Sequence, residues 1–143
     1  MPVPIDELIA YSEGRLAGRD VSRFLRAYER DCGRLSWVGE RAEAFDEVDR
    51  DGARQIGLTH AFPAPGPWAT PAVERRFFAE VRWLVAWLEE ISGELGLVFA
   101  LRYNDRDLGW IRRGVTDDAI SEGLIAVWER DLERLDATRR GVE

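Results

Sequence analysis

The sequence predicts an all-α protein, a four- to five-helix bundle crossed by one long proline-rich loop. Three observations predict it. Phe77, Val81, Leu84, Leu88, Ile91, Leu95 and Val98 step by three and four residues without a phase slip. Thr70-Pro71 supplies a capping hydroxyl followed by proline at the first helical position. Two further segments, 20–35 and 117–135, repeat the same apolar spacing. With 143 residues the chain makes one domain, 1–143, able to bury a core without metal or disulfide staples.

Taken in order, Pro4 suits a helix start, with Ile5, Leu8 and Ile9 on one face. Asp20 opens a second helix bearing Val21, Phe24, Leu25 and Tyr28, and Gly33 stops it. Ser36 caps a third, carrying Trp37 or Val38, Ala42, Phe45 and Val48 as far as the Asp51-Gly52 turn. Residues 53–69, with Gly57, Pro63, Pro65, Gly66 and Pro67, form the irregular loop. After the long helix, Leu97 to Tyr103 has a rival reading. Leu97, Phe99, Leu101 and Tyr103 alternate with Val98, Ala100 and Arg102, which would make a strand turning at Asn104-Asp105 and returning through Trp110, a short hairpin near 97–112 and an α+β class. Thr116 or Asp117 caps the last helix.

Composition excludes several chemistries. All 20 basic residues are Arg, so lysine Schiff bases and the phosphate-loop lysine are absent. One His (His60) and one Cys (Cys32) cannot build a zinc site, and no metal or cofactor is expected. Net charge of −7 opposes nucleic acid. No apolar stretch is long enough for a membrane span. The lone cysteine and a start without a signal core lead us to expect a cytoplasmic protein.

Residues 40–51 hold Glu40, Glu43, Asp46, Glu47, Asp49 and Asp51 against only Arg41 and Arg50. On a helix, Glu40, Glu43, Glu47 and Asp51 share the face opposite Ala42, Phe45 and Val48. A carboxylate stripe of this kind would attract a basic partner; an ordinary solvated face is the plain alternative. Glu47-Val48-Asp49-Arg50-Asp51-Gly52 looks like half a calcium loop, but Arg54 and Leu58 stand where its second half needs a branched apolar residue and a carboxylate. Trp68 in the loop, and Trp110 flanked by Asp105 and Asp107, are the candidate anchors of an interface. Glu89, Glu90 and Glu94 read as exposed acids. Nothing in the spacing joins Cys32 and His60 into a nucleophilic site.

Residues 5–16, Ile5-Asp6-Glu7-Leu8-Ile9-Ala10-Tyr11-Ser12-Glu13-Gly14-Arg15-Leu16, lead into Val21-Ser22-Arg23-Phe24-Leu25-Arg26-Ala27-Tyr28-Glu29-Arg30. This layout, with the Asp105–Asp107 turn and the capped helix at 117–135, resembles the colicin-type bacterial immunity proteins over about half the chain. The resemblance implies a helical inhibitor that neutralises a toxin. The leading expectation is an acidic, non-catalytic protein that binds a basic, nuclease-like toxin domain. Two alternatives stand beside it: a small-molecule site or enzyme lined by Trp83, Trp87, Trp110 and Trp128, and an adaptor that forms a homodimer through an exposed aromatic patch.

Overall fold

A computed structural model describes residues 4–14, 16–33, 35–64 and 69–142. It is not a helix bundle. Six antiparallel strands form one sheet in the order β2-β3-β1-β4-β5-β6, and the helices lie together on one side of it. The class is α+β.

The first strand, β1 (Ile5–Gly14), occupies the segment expected to be a helix. Leu8, Ala10 and Ser12 point into the core while Ile9 and Tyr11 face outward. Apolar groups on both sides of a strand imitate the three-and-four spacing of a helix, which explains the misreading. α1 (Gly18–Cys32) forms as expected and buries Val21, Phe24, Ala27, Tyr28 and Cys32. Its N-cap is Ala17, which lends no side-chain bond, and Asp20 sits in the first turn.

The supposed third helix is instead an extended segment and β2 (Glu43–Val48). The supposed loop is largely β3 (Arg54–Pro63). There Ile56, Leu58, His60 and Phe62 are buried at every second position, the period of a strand with one face on a core. Of the loop's proline run, residues 65–68 lie outside the described residues. β1 lies between β3 and β4, fully zipped to β3 from Ile5↔Pro63 to Gly14↔Arg54.

α2 (Pro71–Leu95) has the expected start, with Thr70 accepting the Val73 N–H at 3.3 Å. It ends at Gly96, whose φ of 68° is left-handed, so the helix stops before Val98. The chain then enters β4 (Val98–Tyr103) and β5 (Arg106–Arg112). Asn104 and Asp105, with φ of 49° and 67°, make the tight two-residue turn between them. Arg113 and Gly114, at 48° and 80°, do the same before β6 (Val115–Thr116). Asp117 caps α3 (Asp118–Ile120), which widens into a π-helical stretch (Ser121–Ala126) and then α4 (Val127–Val142).

The core lies between the sheet and the helices. Phe24 of α1 meets Trp87 of α2 and Phe99 of β4 at centroid distances of 5.9 and 5.7 Å. Trp128 of α4 packs on Phe62 and Phe78 at 5.8 and 5.3 Å. No helix among the described residues is long and apolar enough to cross a membrane.

Candidate functional site: the uncovered face of the sheet

Strand pairing fixes which residues share the face that no helix covers, because directly paired residues of an antiparallel sheet point the same way. One row runs across five strands: Phe45 pairs with Gly57, Gly57 with Tyr11, Tyr11 with Ala100, and Ala100 with Trp110. Aromatic and small residues alternate along it. The neighbouring row holds Glu43, Thr59, Ile9, Arg102 and Asp107. Ile5, Val98 and Val115 extend the apolar character of this face, at 61%, 47% and 64% exposure. The open side is mixed in character: an aromatic row bordered by Glu43, Glu47, Gln55, Thr59 and Arg102, the combination of aromatic anchor and polar surround found at contact surfaces.

A groove of about 480 Å³ opens on this face at β2, β3 and β1. Ile9, Tyr11, Phe45 and Thr59 line it, with Glu43 and Glu47 along one side and Arg102 on the far wall. Glu43 and Glu47 have no hydrogen-bond or ion-pair partner among the described residues. Arg102 does: its guanidinium is 3.2 Å from Asp107 and donates to the Asp105 carbonyl at 3.2 Å. Further along the face the Arg112 guanidinium lies 3.3 Å from the centre of the Trp110 ring.

The acidic stripe expected on a helix is therefore divided by the strand. Glu43 and Glu47 stay together on the open face, two residues on either side of Phe45. Asp46 points to the other face and is neutralised by Arg54 through two bonds of 2.8 and 2.7 Å, which hold its carboxyl below the usual range. Asp49 closes its own turn, accepting the Asp51 and Ala53 N–H groups at 2.9 Å each. Glu40 and Asp51 are exposed but stand apart from the groove. Asp105 is spent on the hairpin turn, and Asp107 on Arg102. Trp110, 39% exposed, is on the open face as an anchor requires. Trp68 lies outside the described residues. Tyr11, Gly57 and Thr59 were not singled out from the sequence, and Phe45 was assigned to a helix core; the alternation of Glu43, Phe45 and Glu47 with Ala44 and Asp46 was the available signal.

The four tryptophans proposed to line one cavity do not converge. Trp83 and Trp87 stack at 6.3 Å on the helical layer, Trp128 is in the core, and Trp110 is on the opposite side of the sheet. Trp87 donates its indole N–H to Asp31 at 2.7 Å. Burial of Cys32 pushes its thiol up to about 12, so it is protonated and inert at neutral pH. Among the described residues no three His, Cys, Asp or Glu side chains gather as a metal set.

His60 is 1% exposed, with Nε2 3.6 Å from Glu80 and Trp37 packed over the ring at 5.2 Å. Glu80 accepts the Val38 N–H at 2.5 Å. Burial raises the Glu80 carboxyl, opposed by that bond and by Arg76, and lowers His60 from 6.5 to about 4. The unfolded chain therefore takes up a proton near pH 6.5 that the folded chain refuses until about 4. The His60 contribution is intact above pH 6.5 and is lost as pH falls towards 4, by about 3 kcal/mol in all. Glu80 acts in the opposite sense: its contribution is present in acid and fades as pH rises through its raised value. Urea midpoints of the wild type should fall between pH 6.5 and 4, and His60→Leu should flatten that slope. Parallel slopes for the two proteins would show that His60 does not carry it.

No known protein family matches the chain, and no characterised relative or solved structure shows significant similarity to it. Ile5–Gly14, at the head of the layout that resembles immunity proteins, is a strand and not a short helix, while 21–30 and the segment capped by Asp117 are helical.

Proposed function

We propose that this chain is a non-catalytic protein-binding module of inhibitor type that docks a basic partner, such as a toxin domain, on the uncovered face of its sheet. The observation that carries the reading is the groove beside β2, where two unneutralised carboxylates border an aromatic row on rigid, hydrogen-bonded backbone. Aromatic side chains provide the desolvated contact and the carboxylates steer encounter. The net charge of −7 acts in the same direction at longer range.

The test is affinity against ionic strength, using the purified basic protein encoded by the adjacent gene. Binding should be tight at low salt and weaken steeply as salt rises. Absence of binding at low salt ends the proposal. Sedimentation equilibrium belongs beside it. A monomer that forms a one-to-one complex supports the reading; a stable homodimer closed through this same face, with no room for a partner, replaces it.

A further inference from the structure

The aromatic row says more than that a protein docks here. Phe45 and Tyr11 are two strands apart, roughly 10 Å, and the residue between them is Gly57. A Cβ at Gly57 would lie 1.9 Å from the Ala10 carbonyl oxygen, so no side chain stands between the two aromatic positions. Glu43 and Glu47 flank Phe45 on the same strand face and line the same groove. The groove thus brings Tyr11 and Phe45 together with two carboxylates that make no ion pair among the described residues, while the Arg102 guanidinium in the same lining lies 3.2 Å from Asp107.

The other end of the row shows what such a position takes. There the aromatic is Trp110, and the Arg112 guanidinium rests 3.3 Å from its ring centre. The Arg102 guanidinium stands nearby with Asp107 as its counter-charge. The β4–β5 half of the face supplies these guanidinium groups; β2 supplies Phe45 and the two carboxylates.

We infer that the groove lined by Phe45 and Tyr11 seats an arginine side chain of the partner, its guanidinium bonded by Glu43 and Glu47. This rests on the reading of the open face as the docking surface. Arginine is favoured over lysine because a flat, weakly hydrated cation stacks on aromatic rings and bonds carboxylates in pairs, whereas an ammonium must shed a tight hydration shell. Arg102, on the far wall, is paired with Asp107 and the Asp105 carbonyl and with neither glutamate.

The test needs no partner. The amide spectrum of the full chain is followed by NMR during titration with N-acetyl-arginine amide, N-acetyl-lysine amide and the neutral isostere N-acetyl-citrulline amide. Saturable shifts are expected at Tyr11, Phe45, Gly57 and Glu47 with the arginine probe in the millimolar range, with the lysine probe weaker and the citrulline probe at least tenfold weaker. Glu43→Gln/Glu47→Gln should lower arginine affinity about tenfold. Phe45→Leu, which keeps apolar volume, should weaken arginine while leaving the citrulline response unchanged. Equal responses to arginine and citrulline, equal affinity for lysine and arginine, or shifts confined to Glu90 and Glu94 on the helical layer would each overturn the inference. Its failure is separable from that of the docking proposal. A partner that binds this face while the arginine probe does not removes only the arginine site; a probe that seats while the basic protein does not bind removes only the partner.

Discussion

Gly57→Ala should destabilise the protein by about 3 kcal/mol, well beyond the cost of an ordinary surface substitution. The methyl carbon would lie 1.9 Å from the Ala10 carbonyl oxygen and 2.8 Å from the Tyr11 Cα. These are backbone atoms of β1, which cannot rotate aside as a side-chain tip can. Relief requires β1 and β3 to separate where both lie in the interior of the sheet, and β1 is bonded to β4 on its other side. Gly123→Ala is the control: nothing lies within 4 Å of its added carbon, so it should be neutral or slightly stabilising through helix propensity. Urea unfolding of both variants checks this. A Gly57→Ala protein within 1 kcal/mol of the wild type, a margin set by the usual scatter of surface changes, would show that the two strands yield more easily than their pairing implies.

The second large effect is on binding. Glu43→Arg/Glu47→Arg turns two negative charges into two positive ones at the groove and should weaken a basic partner about 100-fold at low salt, with the salt dependence reduced or inverted. Both side chains are exposed and have no partner within the described chain, so stability should stay within about 0.5 kcal/mol of the wild type. The matching change on the helical layer, Glu90→Arg/Glu94→Arg, alters net charge equally and should cost far less. Titration calorimetry at two salt concentrations separates these outcomes. If both double variants lose the same affinity, the effect is one of overall charge and the open face is not the contact surface.

How much of this could be seen in the residues differs by element. α2 was legible because its cap, its proline and an unbroken apolar stripe agree. The start of the last helix was legible from Asp117. β1 was not, because Ile9 and Tyr11 on the open side add apolar positions to Leu8 and Ala10 on the buried side, and the sum fits a helix as well as a strand. β3 was hidden differently. Ile56, Leu58 and Phe62 alternate cleanly, yet Gly57 and the prolines beyond Phe62 suggested a loop. Here the glycine is demanded by close strand pairing rather than by a turn. The glutamates of the site were visible as residues but not as a pair. Only a strand separates Glu43 and Glu47 from Asp46, and only the hairpin shows that Arg54 has claimed Asp46.

The sheet order also constrains how the chain can be assembled. The first strand occupies an interior position, yet its partner on one side, β4, is made long after it: Leu8 pairs with Tyr103. During synthesis the N-terminal segment can zip to β3 but must wait for most of the domain to emerge before its second edge is closed. Such distant pairings are paid for in chain entropy before they return any contact, so folding should be slow for a protein of this size. Until β4 arrives, the side of β1 that it will occupy is an open ladder with Ile9 and Tyr11 beside it, the stage at which a nascent chain is most exposed to mispairing.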